Sequence, residues 1–536
     1  MRDHAEMIPP RQFLRMCRAN LRRPKVADSS GVELPGAGLL TRTLVLRRLL
    51  RREVLGKDET YVGLLVPPSV GAVVANAALA IDRRIAVNLN YSESSEVLNA
   101  AIRQCQIRHV LSSRRVMEKL NLQLDAELVH LEDFKDKVTA ADKLIAAAQT
   151  WLLPAAVLDR WLGLNKIAPD DVLAVIFTSG ATGVPKGVML TQRNVGSNVA
   201  QFDTILQLRR DDVLTGILPF FHSFGYTVTL WTVLTLQPKV IYHYSPREPK
   251  PLGQLCRRHG ATILIATPTF LRWYTRGCQP EDFAKLEVVI TGAERLPPDL
   301  ADKFEQRFGV RPLEGYGTTE LSPVVSVNVP PGRMTSTTKK GCREGTVGQP
   351  LPDISAKVVD LETGEDLGVG KSGMLLIRGP NVMKGYLGRP ELTAQVVRDG
   401  WYETGDVAEI DAEGFIKITG RQSRFAKIGG EMVPLVQVEE EIIKVLNLDE
   451  DNVSLVVTSV PDAKKGERLV VLHTGLAEGP EAVCRKLSAA GAKPICIPTP
   501  DNFRQVREIP LLGSGKVNLK RVKEMALEEF PGPGQT

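Results

Sequence analysis

Short β-branched runs alternate with helical patterns along most of this chain, and that alternation leaves few architectures open. Predominantly apolar runs stand at residues 61–66, 108–111, 172–177, 240–244, 262–266 and 287–291, with helical patterns such as 96–104 and 298–308 between or just beyond them. Strands and helices in alternation predict α/β layers built on largely parallel sheets. After about residue 345 the runs shorten and turn residues crowd at 360–364, 368–373 and 411–414. A β-rich subdomain over about 345–420 is expected there, followed by a small α+β module at 424–536 with helices including 436–445 and 518–529. At 536 residues the chain is too long for one ordinary core. The expected organisation is therefore a large N-terminal domain, residues 1–420, of layered, mostly parallel sheets with helices plus the β-rich subdomain. A hinge near 421–423 leads into the C-terminal module.

Charge and cysteine usage narrow the class. Seven cysteines are scattered without a C-x-x-C pair, which argues against a disulfide framework or a zinc site and fits a reducing cytoplasm. The net charge of +6 is mild, and no nucleic-acid partner is expected. It is unevenly placed: residues 1–57 hold 13 Lys/Arg against 5 Asp/Glu, including Arg47, Arg48, Arg51 and Arg52. Such a block is either a solvated helix face or a surface for something acidic, a phospholipid headgroup or an acidic protein. Residues 62–81 are uncharged and nearly long enough to span a bilayer. Pro67 and Pro68 interrupt them, so a buried strand, a turn and a core helix are expected. Residues 143–164 combine Trp151, Leu152, Leu153, Val157, Leu158, Trp161 and Leu162, with Pro154 breaking the pattern into one kinked helix or two short ones. Packing on the chain's own domain is the favoured reading. Peripheral contact with the inner face of a membrane is the alternative.

The densest chemistry lies at Phe177-Thr178-Ser179-Gly180-Ala181-Thr182-Gly183-Val184-Pro185-Lys186-Gly187, fed directly by an apolar run. Glycines admit positive φ and let backbone N–H groups approach an anion. Thr178, Ser179 and Thr182 add hydroxyl donors, and Lys186 adds a cation suited to a polyphosphate. Lys186 is followed by Gly187 and preceded by Pro185, which excludes a Walker A loop.

This segment resembles the phosphate loop of the adenylate-forming superfamily, and further stations follow in that family's order. Pro219-Phe220-Phe221-His222-Ser223-Phe224-Gly225 is similar to the aromatic/His station beside the acyl-carboxylate site. Gly292-Ala293-Glu294 and Gly315-Tyr316-Gly317-Thr318-Thr319-Glu320 resemble two turns that sandwich adenine. The resemblance implies that Tyr316 stacks on the base, Thr319 touches the α-phosphate and Glu320 ligates Mg2+, a hard cation that needs few protein carboxylates when polyphosphate is present. Trp401-Tyr402-Glu403-Thr404-Gly405-Asp406 resembles the ribose station, Gly420-Arg421 the start of the hinge, and Leu511-Leu512-Gly513-Ser514-Gly515-Lys516 the loop of the catalytic lysine. On this reading Lys516, His222 and Thr319 serve catalysis. Thr178 to Gly183, Lys186, Gly292, Ala293, Glu294, Gly315, Tyr316, Asp406 and Arg421 hold ATP. The C-terminal module acts as a mobile lid.

Segments 220–225, 314–326, 380–386 and 424–433 look closer to one branch, the ligase half of bacterial 2-acylglycerophosphoethanolamine acyltransferase/acyl-acyl carrier protein synthetases. That resemblance implies a fatty acid substrate and an acyl carrier protein as acceptor, with coenzyme A as the alternative. The acyltransferase half of those proteins carries H-x-x-x-x-D, and none of the seven histidines here has Asp five residues on. Two positions depart from the superfamily pattern. Ala181 replaces the usual Ser or Thr, a lost hydroxyl contact of about 0.5–1.5 kcal/mol. Ser423 stands where the hinge usually has Asp or Lys, which bears on lid rotation.

Overall fold

The computed structural model describes residues 7–178, 185–334, 341–448, 454–510 and 517–530. Two large sheets form the body. In one, Leu313–Gly317, Val288–Thr291, Ile263–Ala266, Val213–Gly216, Lys239–Tyr242 and Pro24–Asp28 run parallel, with antiparallel strands only at its margins. In the other, Val172–Thr178, Ile85–Asn88, Tyr61–Leu65, His109–Ser112 and Glu127–His130 are parallel. Lys186–Thr191 folds back antiparallel on Val172–Thr178. Helices cover the faces of both sheets, which is why the central strands are apolar on both sides.

A third, antiparallel sheet joins Ser355–Val359, Ser372–Arg378, Trp401–Ile410, Val397–Arg398 and Ile416–Arg421. The C-terminal part has its own five-stranded sheet, centred on the hairpin of Leu455–Asp462 and Gly466–His473. Its buried side chains, from Ala426 to Phe530, form two clusters separate from the body's core, whose fully buried members end at Ile416.

The expected strands form, with ends shifted by one or two residues. The largest shift is at 240–244: pairing stops at Tyr242, and His243 and Tyr244 leave the strand. Residues 62–81 resolve into a strand ending at Leu65 and the buried helix Val70–Ile81. Ser69 caps that helix by accepting the Ala72 N–H, and Asp28 accepts the Val70 N–H. No helix among the described residues is long and apolar enough to cross a membrane. Residues 143–164 form two helices, Ala140–Trp151 and Ala155–Trp161, joined at Pro154.

The basic N-terminal block is largely committed to the fold. Asp82 pairs with Arg47, Arg51 and Arg84, and buried Asp142 pairs with Arg48 and Arg52. Arg51 and Arg52 thus clamp the helix Gly36–Glu53 to its neighbours.

Candidate active site

The phosphate segment connects the two strands of an antiparallel hairpin. Its first described residue, Thr178, lies opposite Lys186 across the pair. Residues 179–184, and with them Ser179, Gly180, Ala181, Thr182 and Gly183, lie outside the described residues, as does Lys516. Lys186 is described. Its Nζ stands 5.1 Å from the centroid of the Tyr386 ring, a cation–π contact.

From Lys186 a line of contacts crosses the molecule. The Tyr386 hydroxyl donates to Glu320 Oε1 at 2.9 Å. Thr319, beside Glu320, has its hydroxyl 3.3 Å from that of Ser223, and Ser223 follows His222. Three residues before Thr319, the Tyr316 hydroxyl donates to Asp406 Oδ2 at 2.5 Å. The other oxygen of Asp406 takes Arg421 Nε at 2.9 Å. Lys186, Glu320, Thr319, Tyr316, Asp406 and Arg421, spread over 236 residues of sequence, therefore occupy one continuous site. Asp406 is almost wholly buried, whereas the Arg421 side chain is 67% exposed. Burial beside Asp406 pushes the Tyr316 hydroxyl far above its ordinary range, so it stays protonated and donates.

Local sequence explains how these groups are aimed. Gly317 is required sterically: a Cβ there would lie 1.8 Å from the Pro323 carbonyl oxygen. At Gly225 a Cβ would lie 2.2 Å from the Pro219 carbonyl oxygen, which fixes the tight return after His222. A π-helical turn, Gly225–Trp231, follows. Such turns are rare and gather at functional sites. His222 itself is exposed, its ring packed at 4.5 Å from that of Phe221.

The two turns expected around adenine approach each other. A Cβ on Gly292 would be 3.4 Å from the Gly315 carbonyl oxygen and 3.3 Å from the Phe224 ring. Ala293 adopts a left-handed φ of 70°. Half-buried Glu314 ties the turns together by accepting the Leu296 N–H, and desolvation raises its carboxyl. Glu294 behaves differently from its neighbours. Its carboxylate accepts both the N–H and the hydroxyl of Thr269, so it caps the helix Pro268–Gly277 and positions the turn through its backbone.

Two tyrosines carry parts of the site that the motifs did not assign. Tyr386 bridges Lys186 and Glu320. Tyr402 is buried, and burial, reinforced by the fields of Glu320, Tyr386 and Tyr316, drives its hydroxyl well above the usual range. Segment 380–386 reaches the site through its backbone. Met383 N–H donates to the Glu320 carbonyl, and Asn381 exchanges side-chain and backbone bonds with Leu321 and Ser322.

Among the described residues no three metal-ligating side chains gather. A single carboxylate, Glu320, linked through Tyr386 to Lys186, is nevertheless a donor suited to Mg2+, which retains waters and takes most other ligands from phosphate.

The two-sheet body, with these side chains brought together from distant stretches of sequence, is the frame in which the likeness to known proteins is read. Residues 18–387, well over half of the chain, match the AMP-binding enzyme family, and the chain belongs to that family. It is 32% identical to a long-chain-fatty-acid–CoA ligase of Bacillus subtilis (strain 168) over 381 residues, covering 68% of this chain and 64% of that enzyme's length. A long-chain-fatty-acid–CoA ligase of Yersinia pestis is 29% identical over 453 residues, 81% of this chain and 75% of its own. ATP-bound MatB from Rhodopseudomonas palustris superposes with a TM-score of 0.76 at 25% identity, covering 97% of this chain and 99% of MatB.

Proposed function

We propose that the protein is an ATP-dependent fatty-acid ligase working in two half-reactions. A carboxylate oxygen attacks the α-phosphorus of ATP, giving acyl-adenylate and pyrophosphate. A thiolate then attacks the acyl carbon, and AMP leaves. The observation that carries this reading is that the short segment Tyr316–Glu320 joins two sets of contacts, Glu320 with Tyr386 and Lys186 at one end and Tyr316 with Asp406 and Arg421 at the other.

In this reading Lys186 and the loop after Thr178 hold the β- and γ-phosphates. Thr319 reaches the α-phosphate, and His222 borders the acyl carboxylate. Asp406 and Arg421 receive the ribose, while Tyr316 and the turns at Gly292 and Gly315 enclose the base. Glu320 would hold Mg2+, which supplies charge neutralisation on the phosphates. Lys516 stabilises charge on the attacking carboxylate and α-phosphate. Residues 1–420 form the body, 424–536 the lid, and 421–423 the hinge.

Coenzyme A is the acceptor we favour, supported by the fatty acyl–CoA ligases among the relatives. Arg51 and Arg52, part of the basic block that an acidic carrier protein could meet, are paired to Asp82 and Asp142. Pyrophosphate exchange into ATP driven by a fatty acid tests the first half-reaction, and no exchange with any chain length overturns the ligase reading. Thioester assays with coenzyme A and acyl carrier protein side by side decide the acceptor. Preference for the carrier, weakening as salt rises, reverses that assignment.

A further inference from the structure

The helices Ala140–Trp151 and Ala155–Trp161 each bury one face. Ala146, Gln149, Thr150 and Leu158 point inward, and Asp142 and Asp159 are held by arginines of the preceding helices. Their outward face is unusually apolar. Leu152 is 75% exposed, Leu144 70%, Trp161 58% and Trp151 45%. Leu144 and Trp151, seven residues apart, share one face of the first helix, Leu152 follows at its end, and Val157 and Trp161 lie one turn apart on the second. Large aliphatic and indole groups clustered in this way mark an interaction surface.

The charges around the patch indicate what covers it. Within 140–168 both acidic side chains, Asp142 and Asp159, are turned inward onto arginines. The charges left outward are all cations: Lys143, Arg160 and Lys166, none in an ion pair among the described residues. On the adjoining helix Gly36–Glu53, Arg47, Arg48, Arg51 and Arg52, together with Arg84, share three carboxylates, Asp82, Asp142 and Glu53. Exposed tryptophans and leucines rimmed by unpaired cations match a bilayer interface, where indoles sit at headgroup depth and cations meet anionic phosphates. We propose that this helix pair docks the protein on an anionic lipid surface, with Trp151, Leu152 and Trp161 inserted and Lys143, Arg160 and Lys166 on the phosphates.

Flotation with vesicles of phosphatidylglycerol and phosphatidylcholine tests the proposal on the full chain. The wild-type protein should float without any acyl acceptor. Leu152→Ser and Trp161→Ser should each lose about ten-fold in vesicle affinity, the value of one buried large apolar side chain. Lys143→Glu with Arg160→Glu should weaken binding to the anionic vesicles and not to pure phosphatidylcholine. In all these variants pyrophosphate exchange driven by a water-soluble short acid should match wild type, which shows they are folded. Brominated lipid should quench fluorescence in the wild-type protein but not in Trp151→Phe with Trp161→Phe. Equal vesicle binding by wild type and variants overturns the proposal. So does a dimer in sedimentation that Leu152→Ser converts to monomer, since the patch then serves a second copy of this chain.

Discussion

Tyr386 is one hydroxyl group linking two expected ligands, and its removal isolates that link. Tyr386→Phe keeps the ring under Lys186 and deletes the bond to Glu320. One hydrogen bond to a charged group is worth about 1.5–3 kcal/mol. The Mg2+ concentration for half-maximal pyrophosphate exchange should therefore rise by roughly ten-fold or more, with less change in the dependence on fatty acid. A titration of exchange against Mg2+ checks this. Lys25 offers a second measurable residue. Its ammonium is fully buried and donates to the carbonyls of Leu236 and Pro238. Burial pushes its pKa down from 10.5 to about 7. Below pH 7 the fold carries the full cost of a buried charge. Between pH 7 and 10.5 the folded protein has released that proton while the unfolded chain still holds it, so stability from this group rises with pH. The melting temperature should climb less between pH 6 and pH 9 in Lys25→Met than in the wild-type chain. Neither residue's part was legible in sequence. Tyr386 stood inside a recognised segment, yet its role depends on meeting Glu320, 66 residues away. Lys25 read as one more cation in a basic block.

At the scale of elements, apolar runs predicted most strands because burial on both faces requires such runs. Helices 298–308 and 436–445 were legible from their periodicity, and the helices begin at Pro298 and Leu435. What periodicity cannot carry is which element a charge belongs to. The basic block at 1–57 read as a free surface, yet Arg48 and Arg52 fasten one helix to another through Asp142, whose carboxyl they and Thr139 hold well below the usual range. Reversing Arg52 to Glu leaves Asp142 facing a like charge. A fall of several degrees in the melting temperature is expected, with pyrophosphate exchange per folded molecule unchanged. Calorimetry beside an activity assay checks both halves. The turn at Gly317 should be less forgiving. A methyl group 1.8 Å from the Pro323 oxygen forces the strand Leu313–Gly317 away from Val324–Val327. Gly317→Ala should lose ATP binding, measured calorimetrically, through displacement of Tyr316 and Glu320.

On the scale of the whole molecule, the C-terminal part meets the body at discrete polar points such as Arg295 with Glu440 at 2.7 Å. Such exposed pairs are worth little and break easily, which suits the lid rotation proposed above. Lys516→Ala should cut adenylate formation by roughly 10²–10³-fold, the usual size for one transition-state donor. Thioester formation from supplied acyl-adenylate should survive, and equal loss of both in rapid-quench assays would contradict the division of labour. The hinge adds a coupling that no motif announces. Arg421, at the start of the proposed hinge, pairs with Asp406, the carboxylate expected to receive the ribose. In the proposed reading ribose hydroxyls would compete for Asp406 with Arg421, which holds Oδ1, and with Tyr316, which holds Oδ2. A nucleotide bound there would change the grip on Arg421, so the proposed pivot would register occupancy directly. Lid excursions followed by single-molecule fluorescence should then track nucleotide concentration even without a fatty acid, and in Asp406→Asn the lid should become indifferent to it.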